Sequence, residues 1–256
     1  MKRKEINLLD TKISVSNMNH TLEEIKDMIN CKRKSYICCA PVSTVVQARR
    51  DKEYCDVINK ADMVLPDGMP LVWFLKFHGE TEVGRVCGID LMEYICSDPK
   101  LTNWNHFFLG TTESTLFLLK RQLYSFNPEI KIVGTMSLPF RDKAELEPQW
   151  LIDKINWAKP DILWVALGSP KQDFWMSLHR SRLDVPVMIG VGAAFDFLSG
   201  VKTRAPKWMQ HSGLEWLFRL FCEPRRLWKR YLILNLQFCY EIIFYLTKNK
   251  KEKRSK

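Results

Sequence analysis

The sequence predicts an α/β protein, with a mainly parallel sheet carrying helices on both faces and then an appendage that is helical only. Three observations predict it. Short apolar runs recur along the first 200 residues and stop at Gly, Pro or Asp, as buried parallel strands do. Stretches of about 10–15 residues with helical spacing separate them. From about Trp208 the strand-like runs cease and the charge changes. Residues 202–256 hold 14 Lys or Arg against 4 Asp or Glu, whereas residues 1–201 carry 25 of each sign. The expected division is a domain of residues 1–200 and an appendage of 201–256.

Ile6–Leu9 and Ile13–Val15 alternate around Asp10-Thr11 and predict a hairpin. Thr21–Cys31 places Leu22, Ile25, Met28 and Ile29 on one helical face. Tyr36–Cys39 predicts a strand, Ser43–Arg50 and Tyr54–Lys60 helices, and Met63–Leu65 a strand halted by Pro66-Asp67-Gly68, with a helix over Met69–Phe77. The second half repeats the pattern more cleanly: strand Phe107–Leu109, turn Gly110-Thr111-Thr112, helix Glu113–Tyr124, strand Ile130–Val133 and a helix around Leu146–Ala158. Strand Ile162–Leu167, helix Lys171–Arg182 and strand Val187–Val191 follow; Leu214–Leu220 and Arg225–Phe244 are the appendage helices. The arrangement is Rossmann-like, and such sheets gather ligands at the carboxyl ends of their strands.

A chain of 256 residues, 46% hydrophobic, can bury a substantial core, which excludes general disorder. Its eight cysteines contain no CxxC and several sit in apolar runs, favouring reduced thiols in the cytosol. The basic start Met1-Lys2-Arg3-Lys4 leads into polar residues, so no signal-peptide core forms. The longest apolar run, 231–246, holds Asn235, Gln237 and Glu241 and is shorter than the roughly 20 residues a spanning helix needs. Basic groups interleaved with Trp and Phe suit the surface of an anionic membrane, giving a peripheral protein. Nucleic acid is the rival partner for such charge, but Leu232, Ile233, Leu234, Leu236 and Phe238 offer little to a phosphate backbone.

Candidate site residues fall at strand ends. Asp67 follows a strand directly and either accepts a proton from an attacking hydroxyl or caps the next helix. Arg85 reads as a phosphate or carboxylate clamp or as a surface residue near a turn. Gly110 and Thr111 present backbone N–H groups to a phosphate, or form an ordinary turn capped by Thr or Ser. Ser169 and Gln172 have capping-box spacing; Gln172 also suits sugar hydroxyls, and Lys171 an anionic substrate. Asp196, between Phe195 and Phe197, holds a ligand or anchors its loop. There is no DxD and no histidine pair at ligand spacing, so neither a metal nor another cofactor is expected. A transfer that steadies a diphosphate leaving group with N–H groups, Arg and Lys fits these residues.

Taken in order, Pro66-Asp67-Gly68, Arg85-Val86-Cys87-Gly88, Gly168-Ser169-Pro170-Lys171-Gln172-Asp173 and Val191-Gly192-Ala193-Ala194-Phe195-Asp196-Phe197 precede Arg204-Ala205-Pro206, Gly213-Leu214-Glu215-Trp216-Leu217-Phe218-Arg219-Leu220 and Glu223-Pro224-Arg225-Arg226. The set resembles the WecG/TagA/CpsF family of bacterial glycosyltransferases over about residues 6–235. The resemblance implies an inverting, metal-independent transfer from a UDP-sugar to a polyprenyl-diphosphate-linked sugar at the cytoplasmic face of the membrane. N-acetylmannosamine or a related sugar would serve teichoic acid, capsule or exopolysaccharide synthesis. It implies Asp67 as base, Arg85 as a basic site residue, Gln172 as a donor-site residue, and Arg219 and Arg226 as contacts to the lipid diphosphate. Arg204 and Arg230 are expected to join them.

Where the family often has Thr-x-Asn, this chain has Cys39 and Pro41 with Thr44 close by, and Asp173 stands for a common Glu. That departure motivates the alternative of a non-catalytic sugar-nucleotide or lipid-binding protein. Residues 204–230 are expected to complete the site and 231–256 to hold the leaflet. A homo-oligomer is compatible with all of this.

Overall fold

The computed structural model describes residues 4–139 and 141–254, with side chains described for all of these except His211, Arg230 and 246–254. Strands β1 (Glu5–Leu8) and β2 (Thr11–Ser14) form the expected hairpin. Its two-residue turn, Leu9-Asp10, has both φ values positive, matching the strand twist. The main sheet comprises β3 (Ser35–Ala40), β4 (Met63–Pro66), β5 (Asn105–Gly110), β6 (Lys131–Met136), β7 (Ile162–Ala166) and β8 (Val187–Gly190). Their order is β4-β3-β8-β7-β5-β6 and every pairing is parallel. β3, β4 and β8 are buried throughout, whereas β6 closes an edge and is partly exposed. This is why the inner strands read as unbroken apolar runs.

Alternation along each strand feeds two cores. Tyr36 and Cys38 of β3 and Leu163 and Val165 of β7 face one side, with α2 (Val42–Arg50), α3 (Lys52–Asn59), α4 (Met69–Phe77), α7 (Gln149–Ala158) and α8 (Lys171–His179). Ile37, Cys39, Ile162 and Trp164 face the other, with α1 (Met18–Asn30), α5 (Gly88–Ser97), α6 (Glu113–Phe126) and α9 (Ala194–Leu198). Helices therefore cover both faces. The eight cysteines are free thiols.

The appendage is α10 (Lys207–His211), α11 (Glu215–Cys222), α12 (Pro224–Trp228), a π-helical turn (Lys229–Ile233) and α13 (Leu234–Arg254). The helix expected from Arg225 to Phe244 is present, running without interruption through the π turn. The expected split at Arg230 is not how its residues distribute. Phe238 is buried in the first core, Arg49 pairs with Glu241 at 3.1 Å, Arg50 bonds Gln237, and Tyr231 and Asn235 reach the cleft described below. Leu236, Tyr240, Ile243 and Phe244 remain exposed. Among the described residues no helix is long and apolar enough to cross a membrane. The terminal basic side chains, 248–256, lie outside those described.

Two further helices differ from the sequence pattern. α5 has no counterpart among the expected elements, although its buried Leu91, Met92, Ile95 and Cys96 recur at helical spacing with Glu93 and Tyr94 exposed on the other side. α7 starts at Gln149, since Pro148 occupies its N-cap and leaves Leu146 and Glu147 in the preceding loop.

Candidate active site

A cleft of about 380 Å³ runs along the carboxyl ends of β3, β4, β5, β7 and β8. Its position follows from topology. The helix after β5 lies on one face and the helices after β3 and β7 on the other, so the loops part above the sheet edge. The appendage supplies the opposite wall through Glu215, Trp216, Arg219, Arg226 and Tyr231.

Asp67 stands on the floor. β3 and β4 run in register to Ala40 and Pro66, the Asp67 N–H donates to Ala40 O at 3.1 Å, and the Val86 N–H donates to Pro66 O at 3.1 Å. The backbone on both sides of the carboxylate is thus fixed. The alternative role as a helix cap is not taken: Gly68 is the N-cap of α4 and no side chain bonds there. Loss of water around the carboxylate, opposed by Arg85 and aided by Glu215, lifts the Asp67 pKa to about 6. A carboxylate so placed is ionised near neutral pH yet basic enough to receive a proton.

Arg85 lines the cleft beside it and is held by carboxylates, not left as a surface residue. One guanidinium nitrogen lies 3.1 Å from Asp90 and 3.1 Å from Glu215. Arg204 completes the cluster, 2.5 Å from Asp90 and 3.5 Å from Glu215; it lines an adjoining hollow, not the main cleft.

Gln172 is buried and braces two loops. Its side-chain carbonyl accepts the N–H groups of Gly168 (3.1 Å) and Gly192 (3.0 Å), and its amide donates to Ser169 Oγ (3.2 Å). The expected capping box does not form, because Pro170 is the N-cap and Gln172 turns to β8 instead. Gly190 permits this, since a Cβ there would lie 2.9 Å from Gln172 Nε2.

Other expected residues divide. Cys39, Thr111 and Asp196 line the cleft; Thr111 donates to Asp196 Oδ1 at 3.4 Å, and Lys202 pairs with Asp196 at 3.0 Å, so Asp196 also anchors its loop. Gly110 is not in the lining: a Cβ there would sit 2.6 Å from Ala166 O, so it serves the close approach of β5 to β7. Thr112, as expected of an ordinary turn, caps α6. Lys171 turns away to donate to Arg141 O at 2.8 Å. Thr44 is buried on the α2 side near Tyr54 and outside the lining, while Asp173 accepts the Tyr54 hydroxyl at 2.7 Å inside the core.

Of the appendage arginines, Arg219 and Arg226 line the cleft. Arg219 stacks over Phe197 at 5.1 Å, and its buried Nε has no protein partner among the described residues. Arg226 pairs with Glu223. The Arg230 side chain lies outside the described residues. Helices α2 and α5 also begin at the cleft without a side-chain cap and turn positive dipole ends toward an anion there. By contrast, Pro70 leaves α4 without one N–H of its first turn, and the Gln172 and Asp173 N–H groups of α8 are taken by Gly168 O and Pro170 O. Among the described residues no His, Cys, Asp or Glu group is placed to hold a metal. Sequence reasoning missed Glu215 and Trp216, whose only signal was their place in the motif that carries Arg219.

The fold and site define an α/β protein whose cleft, at the carboxyl edge of a parallel sheet, is lined by arginines and by the carboxylates of Asp67, Asp196 and Glu215. The chain belongs to the WecG/TagA/CpsF family of glycosyl transferases, whose profile matches residues 6–252, and it is an enzyme of that class. It is 30% identical over 227 residues to the N-acetylglucosaminyldiphosphoundecaprenol N-acetyl-beta-D-mannosaminyltransferase of Bacillus subtilis, covering 86% of each chain. Enzymes of the same name from Bacillus spizizenii (30% identity, 91% of this chain and 88% of the relative) and Staphylococcus aureus (25%, 88% and 86%) are similar along the same length.

Proposed function

We propose that this glycosyltransferase moves a sugar from a UDP donor to a polyprenyl-diphosphate-linked sugar at the cytoplasmic face of the bacterial membrane, with inversion and without a metal. The relatives' names favour N-acetylmannosamine as the sugar and N-acetylglucosaminyl-diphospholipid as the acceptor, for cell-wall or surface-polymer synthesis. Asp67 carries the reading. It is a carboxylate fixed at the sheet edge, outside Arg85's ion pairs and poised at a pKa of about 6.

Asp67 removes the proton from the acceptor hydroxyl as that oxygen attacks the anomeric carbon from the face opposite UDP. The bond from that carbon to the diphosphate oxygen breaks, and UDP leaves with the electron pair. Uncapped helix N-termini offset the charge that develops on the leaving group. Arg219 and Arg226, on the appendage wall, meet the lipid diphosphate. The exposed apolar and basic residues of the appendage rest on the anionic leaflet as a peripheral attachment.

The test offers a panel of UDP-sugars with a short-chain polyprenyl-diphosphate-GlcNAc analogue and detects product by mass. One donor should give UDP release that depends on acceptor, with a product heavier by one sugar residue. Donor binding without turnover across the panel would favour the non-catalytic alternative raised by Cys39 and Pro41, both of which line the cleft.

A further inference from the structure

Two guanidinium groups and two carboxylates alternate between the sheet domain and the appendage. Glu215 Oε2 lies 3.1 Å from Arg85, and its Oε1 faces Arg204 Nε at 3.5 Å. Asp90 repeats the pattern, with Oδ2 3.1 Å from Arg85 and Oδ1 2.5 Å from Arg204. Arg85 also donates to Gln210 O, a carbonyl of α10, at 3.4 Å, and to Cys87 Sγ at 3.2 Å. The pair is well shielded, with Arg85 15% and Glu215 12% exposed, so it is not a surface salt bridge dissolved by water. The groups facing Asp67 are Arg85, Arg219, Glu215 and Asp90, with the thiols of Cys39 and Cys87. Of the two cations, Arg85 acts on Asp67 more strongly than Arg219 does.

We propose that Glu215 is a positioning residue for sugar transfer: carried in by the appendage, its carboxylate with that of Asp90 occupies Arg85 and keeps Asp67 out of a salt bridge, open to receive a proton. Docking of the appendage therefore prepares the base as well as closing the wall. A carboxylate locked to Arg85 would be a weaker base and would surrender that bond to react. Glu215 also gives the appendage a defined seat, since both its oxygens meet guanidinium groups of the cluster. The inference rests on Asp67 being the base.

The experiment measures kcat/KM for sugar transfer across the acid range for the full chain, Glu215→Gln, Glu215→Asp, Asp90→Asn and Asp67→Asn. Glu215→Gln removes a like charge and frees Arg85 toward Asp67, so the acid limb should move down by about one pH unit while the plateau falls about tenfold. Glu215→Asp keeps the charge and should leave the limb in place. Asp90→Asn should move it in the same direction as Glu215→Gln, and answers the question if Glu215→Gln does not fold. A Glu215→Gln plateau that falls with an unmoved limb, in a protein whose Asp67→Asn form is inactive, overturns this inference alone and reduces Glu215 to a structural contact. Near-normal transfer by Asp67→Asn overturns the base assignment, and the inference with it.

Discussion

Gln172→Leu removes one oxygen that two loops share. That oxygen accepts the N–H groups of Gly168 and Gly192, which lie at the ends of β7 and β8, and Leu fills similar space without accepting either. Leaving a buried N–H without a partner costs about 1–3 kcal/mol, and both sites are part-buried, so the pair should cost about 2–4 kcal/mol. Both glycines hold positive φ values, 78° and 56°, so the loops can escape the cost by turning, which would reshape the cleft. Urea unfolding followed by far-ultraviolet circular dichroism reads the stability, and calorimetric titration with UDP reads the cleft. Stability should drop by that amount and UDP affinity by about tenfold, a loss of about 1.4 kcal/mol. Gln172→Glu, which keeps an acceptor at the same reach, should recover most of the stability. Stability within about 0.5 kcal/mol of the parent, together with unchanged UDP affinity, would refute the brace.

Phe238→Ala should cost about 3 kcal/mol in urea unfolding, because the ring is buried in the core beside α2 and not presented to a membrane. Two groups should oppose one another in acid. His106 is buried, accepts the Trp164 indole N–H, and has its pKa pushed down to about 4, so its stabilisation is complete above about pH 6.5 and lost as pH falls toward 4. Asp67, raised to about 6, takes up a proton in the folded state first and so adds stability over nearly the same fall in pH. Asp67→Asn should therefore unmask an acid instability of up to about 3 kcal/mol between pH 6.5 and 4, read as unfolding midpoints against pH; a curve parallel to the parent's would contradict the opposed titrations.

The parts of the fold that were legible in the sequence share a cause. Buried parallel strands must be apolar on both faces, so β3, β7 and β8 stand out as unbroken runs ended by Pro or Gly. Asp67 was legible for the same reason, as a charge placed where such a run stops. α5 went unread although its buried residues recur at helical spacing, and the π turn inside the last helix escaped because it leaves no residue signature. The Gln172 brace and the Arg85–Glu215 pair lie 20 and 130 residues apart in sequence at their farthest contacts, and local spacing carries no record of such meetings. Lys171 and Gln172 show the limit most plainly. Neighbours in a helical first turn point to different places, and only Gln172 reaches the cleft.

The direct test of the central claim is Asp67→Asn measured twice: single-turnover transfer onto the polyprenyl-diphosphate-GlcNAc analogue, and calorimetric binding of the UDP-sugar donor. With Asp67 as the base, transfer should fall at least about a hundredfold while donor affinity stays within about twofold. Transfer near the parent rate, with donor binding intact, would contradict it.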